Sequence, residues 1–151
     1  MDLGVLTIAV ARHDGLVDVG DERVKAISAI TLATTDMAAS VAFYEQLGFH
    51  LLYGGRGSPF SSFRAGGGYL NLQADEAWLP QEAVWGRVIF HVDDVDAMYE
   101  RTLTAGLTPL APPADAPWRE RFFHIRDPDG HELSFARPLP EGGGESSGSD
   151  G

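Results

Sequence analysis

No cysteine occurs in the 151 residues, which excludes disulfide scaffolds, thiolate zinc sites and cysteine nucleophiles. Basic residues are scarce: 11 Lys+Arg stand against 22 Asp+Glu, for a formal charge of −11. That balance argues against nucleic acid or an anionic membrane as partner. Long apolar runs are also missing. Leu3–Ala11 is a run of nine apolar or small residues, well short of the ~20 that a membrane helix needs. Asp2 is the only charge before it, whereas a signal peptide begins with a basic stretch. The run therefore reads as a short extra strand or a poorly ordered extension, and the cytoplasm is the expected location.

What is present is ordinary globular material, with 44% hydrophobic and 22% charged residues. The acidity is concentrated at the ends. Residues 1–23 and 139–151 each carry a net charge of −3, and the 115 residues between them only −5. Residues 139–151 are almost entirely Gly, Ser and acid. Such a segment buries too little apolar surface to offset its ordering entropy, so a disordered tail is expected. The division is thus an N-terminal extension (1–23), a domain (24–138) and a tail (139–151).

The domain repeats itself. Ile27–Phe49 aligns without a gap on Trp85–Leu107 at an offset of 58, so that Ile30 falls on Val88, Asp36 on Asp94 and Gly48 on Gly106. In each copy, period-2 alternation predicts a strand (Ile27–Thr34 and Trp85–Val92). Asp36 in one copy, and Asp94 or Asp93 in the other, sit as N-caps of a three-turn helix, and Gly48 and Gly106 close the helices as residues that take positive φ cheaply. The apolar stripes are Met37, Val41, Tyr44 and Leu47 in one helix, and Val95, Met98, Tyr99 and Leu103 in the other. Three further strands follow each helix: His50–Tyr53, Pro59–Arg64 and Tyr69–Gln73, then Leu107–Leu110, Arg121–Arg126 and His131–Ala136. The expected fold is α+β, two tandem βαβββ modules (24–74 and 85–138), with curled sheets enclosing a U-shaped cavity.

Three stretches, Thr35–Phe49, Val88–Leu107 and Phe122–Phe135, together resemble the vicinal oxygen chelate superfamily, which includes glyoxalase I, extradiol dioxygenases and bleomycin-resistance proteins. The resemblance implies the paired-module fold, often as a homodimer. It also implies a divalent metal held by His and Glu on the first and fourth strands of each module, as a cation with open positions for substrate oxygens requires. Here the four matching positions are Ala29, Asn71, Arg87 and Ser134. Three cannot ligate, and a guanidinium repels a cation. No cofactor is therefore expected. The alternative is a displaced metal nucleated by His91 and Glu132, with His124 as third ligand by composition. Simple pairing across the Asp127–Gly130 turn sets His124 opposite Leu133, on the back of the sheet.

Alternation assigns a polar and aromatic face to the cavity, including Arg64, Tyr69, Asn71, Trp85, Arg87, His91 and Ser134 as ligand-binding candidates. Arg87, alone or with Arg64, is either an anchor for a carboxylate, phenolate or phosphate, or one half of an internal ion pair with Glu132. His91 is either a general acid/base, with Glu132 as its catalytic companion, or a neutral histidine bonded to Tyr69 or Glu132. Trp85 and Trp118 either stack on a planar ligand or close the ends of the core. The Asp93, Asp94 and Asp96 cluster reads as helix capping, and Asp127 and Asp129 as turn residues. The favoured function is binding of a small organic, anionic or aromatic molecule in a metal-free cavity. A glyoxalase-like lyase, isomerase or dioxygenase-like enzyme and a structural module are the alternatives. The bleomycin binders of the family take a cationic drug in an acidic cleft, so the arginines here point to a different ligand.

Overall fold

In a computed structural model the described residues are 22–80, 82 and 84–140. The expected extension (1–23) and tail (139–151) lie outside them, apart from Glu22, Arg23, Leu139 and Pro140. The first module runs β1 (Ala29–Thr34), α1 (Met37–Gln46), β2 (His50–Tyr53), β3 (Phe60–Ala65) and β4 (Gly68–Ala74). The second runs β5 (Arg87–His91), α2 (Val95–Thr104), β6 (Ala114–Ala116), β7 (Glu120–Arg126) and β8 (Glu132–Pro138). Each makes a four-stranded sheet, ordered β1-β4-β3-β2 and β5-β8-β7-β6, whose first and last strands pair in parallel. The fold is the expected pair of βαβββ modules. Among the described residues no helix is long and apolar enough to cross a membrane.

Local chemistry accounts for the matching helices. Asp36 and Asp94 hold extended backbones and accept from the N–H groups of Ala39 and Ala97, satisfying donors that a helix start leaves free. At the other ends Gly48 (φ +97) and Gly106 (φ +80) follow the last turn. Phe49 N–H reaches Tyr44 O and Leu107 N–H reaches Thr102 O, the bond pattern of a glycine-terminated helix. The α1 stripe is buried as expected. In α2 the stripe differs: Leu103 is exposed and Thr102 is buried in its place. The Thr102 hydroxyl donates to Tyr99 O at 2.6 Å, so burying it leaves no polar group unsatisfied.

The second module departs from expectation after α2. Leu107–Leu110 forms no strand, and β7 pairs instead with Ala114–Ala116. Pro109 lies within the expected strand, and Pro112 and Pro113 between it and β6; none has an N–H to give a ladder. Leu110 N–H alone of the expected strand reaches β7, at His124 O.

One aromatic side chain joins the two cores. Phe49 meets Tyr44 at 5.5 Å in its own module and Phe90 at 5.0 Å in the other. A second junction is polar and forms at the β7–β8 loop. Asp129 Oδ1 accepts from the backbone N–H and the hydroxyl of Thr35, both at 3.1 Å, and Oδ2 accepts from Ser40 Oγ at 3.2 Å. Tyr44 Oη donates to Asp127 Oδ2 at 2.7 Å, while His131 Nε2 donates to Ala33 O at 2.9 Å. Asp127 and Asp129 are thus more than the turn residues their sequence suggests: their side chains dock one module on the other.

Burial raises the Asp127 carboxyl above its ordinary value of 3.8, and the Tyr44 bond opposes that rise. The folded chain therefore holds this proton more tightly than the unfolded one, so Asp127 contributes most at low pH and that contribution fades as pH rises beyond 3.8. Asp127→Asn keeps the Oδ1 acceptor without a titration. Urea unfolding at a series of pH values is expected to show this variant gaining on the parent chain from below pH 4 towards neutrality. A constant or shrinking difference would contradict the assignment.

Candidate functional site

Strand alternation sorts the second sheet into two faces. Leu133, Phe135, Phe123 and Ile125 are buried against the core. Arg87, Ile89 and His91 of β5 project to the other face, opposite Glu132, Ser134 and Ala136 of β8. Next along, β7 sets His124 opposite Ser134 and Arg126 opposite Glu132. His124 is thus on the open face, not the back. The cause is loop length: Asp127 N–H bonds His131 O, and Gly130 takes φ +93, so three residues rather than four close the hairpin. A one-residue shift of register moves every side chain to the other face.

The centre of this face is an ion cluster. Arg87 contacts Glu132 Oε2 through Nε at 2.6 Å and Nη2 at 2.5 Å, while Arg126 Nη2 lies 3.8 Å from Glu132 Oε1. Of the two roles open to Arg87, the internal pair with Glu132 forms. It does not exhaust the cation, because one carboxylate faces two guanidiniums. Arg87 remains 46% exposed while Glu132 is reduced to 13%. Burial first, and then the Arg87 charge, push the His124 imidazole below its ordinary value, with Glu132 opposing. His124 is neutral at pH 7 on that account. Its Nδ1 is buried with no hydrogen-bond partner among the described residues, and its ring centre lies 4.9 Å from that of Phe122.

The other expected site residues are scattered more widely. Asn71 lies opposite Thr31 on the first sheet, and its Nδ2 donates to Thr31 Oγ1 at 3.2 Å. Arg64 stands over the Tyr69 ring, 5.4 Å from its centre. Ser134 is buried between Ile89 and His124. Trp85 is fully exposed and Trp118 largely so, stacked on Phe122 and donating Nε1–H to Glu120. Neither tryptophan closes the core.

His91 and Glu132 do not meet. Glu132 pairs with Arg87 at one end of β5, and His91 pairs with Ala136 four residues on, about 13 Å away at the strand rise. The carboxylate near His91 is Glu120, 3.7 Å from Nε2. The alternatives of a His91–Glu132 catalytic pair and of a displaced metal nucleated by these two residues are not assembled. Among the described residues no three His, Asp or Glu side chains cluster as metal ligands. At the four positions where the family resemblance puts ligands stand a methyl group (Ala29), an amide bonded to Thr31 (Asn71), an ion-paired guanidinium (Arg87) and a buried hydroxyl (Ser134). This donor set does not fit a divalent metal.

Residues 26–135 match the family described as the Glyoxalase/Bleomycin resistance protein/Dioxygenase superfamily. The chain belongs to this superfamily. A solved member from Nocardioides, named for the same superfamily, is 25% identical and superposes with a TM-score of 0.62, covering 93% of this chain and 99% of its own. TioX from Micromonospora sp. ML1 is 28% identical, with a TM-score of 0.62 over 76% of this chain and all of its own. A bleomycin-binding protein solved in complex with bleomycin shares the fold at 23% identity and a TM-score of 0.61, over 76% of this chain and 98% of its own. An uncharacterised protein of Mycobacterium tuberculosis is 40% identical over 50 residues, 33% of this chain and 29% of that protein. The chain thus spans about a third of the curated relatives it matches.

Proposed function

We propose that the chain binds a small organic anion on the open face of its second sheet, with no resident metal. The observation that carries this reading is the Arg87–Glu132–Arg126 cluster. Two guanidiniums share one carboxylate beside a histidine held neutral, so the group bears one net positive charge at neutral pH. Arg87 presents its free surface next to Ile89 and Trp85, which are exposed. A cation set among apolar groups suits a ligand with a planar or aliphatic body and one carboxylate, phenolate or phosphate. Binding is preferred to turnover because the His91–Glu132 pair that a metal-free reaction would use is not formed. A second copy of the chain is proposed to cover Trp85 and Ile89, completing the wall of the site.

Trp85 gives a direct readout, two residues from Arg87. Titrating aromatic carboxylates and their amides against the intact chain, with Trp85→Phe as control, is expected to quench fluorescence with the acids and not with the amides. Equal response to both, or a preference for cationic aromatics, would overturn the reading.

A further inference from the structure

The 58-residue repeat relates the modules as a pseudo-symmetric pair, so each junction between them has a counterpart. The two junctions differ. On one side the β7–β8 loop inserts Asp127, Asp129 and His131 against the first module. On the other, the equivalent β3–β4 loop pairs Ala65 with Gly68 around Gly66 and Gly67, and brings nothing larger than a methyl group. The surface it faces has changed too: at the repeat offset, Met98 stands where Ser40 stands. Where the first junction is filled by bonded polar groups, the second is left as a cleft of about 410 Å³.

Phe49, Phe90, Phe135 and Met98 line this cleft, with Arg64 and His91 also on its wall. Its volume falls within the range of small-ligand pockets, which combine apolar walls with a few polar groups. Arg64 is exposed and has no carboxylate partner among the described residues; the Tyr69 ring is its contact. Glu120 lies against His91 on this wall, and no carboxylate among the described residues neutralises Arg64.

We propose that this cleft is a second small-molecule site, for a compact aryl carboxylate. The ring lies on Phe49, Phe90, Phe135 and Met98, where offset or edge contacts between aromatic groups are favourable. The carboxylate meets the Arg64 guanidinium, whose fork matches it. The site stands apart from the Arg87 cluster: its nearest β5 residue on the open face, Ile89, is two positions from Arg87, and His91 is four.

Methyl-labelled methionine reads this site by NMR, because Met98 lines the cleft while Met37 is buried in the first module. In the full chain, 3-phenylpropionate is expected to shift the Met98 methyl resonance and leave Met37 in place. The corresponding amide, and the acid against Arg64→Gln, are expected to bind about tenfold more weakly or worse, the scale of losing a hydrogen bond to a charged group. Arg87→Ala is expected to leave the Met98 titration unchanged. A Met98 signal that stays still at millimolar acid would overturn the proposal. So would equal binding of acid and amide, an unaltered titration in Arg64→Gln, or loss of the titration in Arg87→Ala. Because the Trp85 titration above reads the Arg87 end of β5 while Met98 reads the cleft beyond Ile89, failure of either site is distinguishable from failure of both.

Discussion

Asp129→Ala is expected to destabilise the fold by about 2–4 kcal/mol, and to lower the melting temperature by on the order of 10 °C. The carboxylate is 2% exposed and lies at the start of α1. It receives three hydrogen bonds there, from Thr35 N, Thr35 Oγ1 and Ser40 Oγ. A bond to a charged acceptor contributes about 1.5–3 kcal/mol. The three are not additive, since removing the acid also removes the cost of burying its charge. What alanine leaves behind decides the sign: a backbone N–H and two hydroxyls facing a void between the modules, with no water-sized partner supplied by the chain. Asp129→Asn keeps one acceptor and should fall between the two. As a surface control, Asp96→Ala breaks an exposed, solvent-screened pair with Arg121 and is expected to leave the melting temperature nearly unchanged. Thermal unfolding followed by circular dichroism checks all three, and an Asp129 effect no larger than that of Asp96 would show that the loop does not hold the modules together.

Arg87→Ala is expected to weaken the binding of an anionic ligand on the open face by roughly 1.5–3 kcal/mol, while a neutral isostere loses little. The reason lies in the geometry around Glu132. With Arg87 present, two cations share one carboxylate; with alanine, Arg126 and Glu132 cancel and the cluster carries no net charge. Arg87→Lys restores the charge without the planar fork, so it should recover only part of the affinity. Calorimetric titration of one acid against the three chains separates the outcomes. Unchanged affinity in Arg87→Ala would remove the arginine from ligand binding and leave it as a structural partner of Glu132.

Much of this architecture is legible in the residues because repeat and periodicity encode it twice. Asp36 and Asp94 as caps, Gly48 and Gly106 as helix ends, and the face assignments of β1, β4, β5 and β8 all follow from short-range rules. The failures share a cause as well. Placing His124 on the wrong face came from assuming a four-residue hairpin loop where three residues close it, and register depends on loop geometry more than on composition. Leu107–Leu110 has the apolar residues of a strand, but Pro109 within it and Pro112 and Pro113 beyond it withhold ladder N–H groups. Asp127 and Asp129 have the sequence of a turn, and nothing local announces that Tyr44, Ser40 and Thr35 await their side chains 83 or more residues away. The open cleft was hidden for the same reason, since it arises from a comparison between two loops, Ala65–Gly68 and Asp127–His131, after both are placed. Arg87 was singled out from sequence through its contrast with Ala29 at the repeat offset, and its ion pair with Glu132 was one of the two roles considered.

We propose that this member of the superfamily holds its ligand through an arginine cluster in place of a metal. Elemental analysis tests it most directly. The chain would be purified without metal-affinity resin or chelator, then incubated with Ni, Mn, Fe(II), Zn and Co and desalted. No metal is expected to be retained in stoichiometric amount, because Ala29, Asn71, Arg87 and Ser134 supply no ligand set. Close to one tightly held equivalent per chain would contradict it and make a metal-dependent reaction the leading reading of the site.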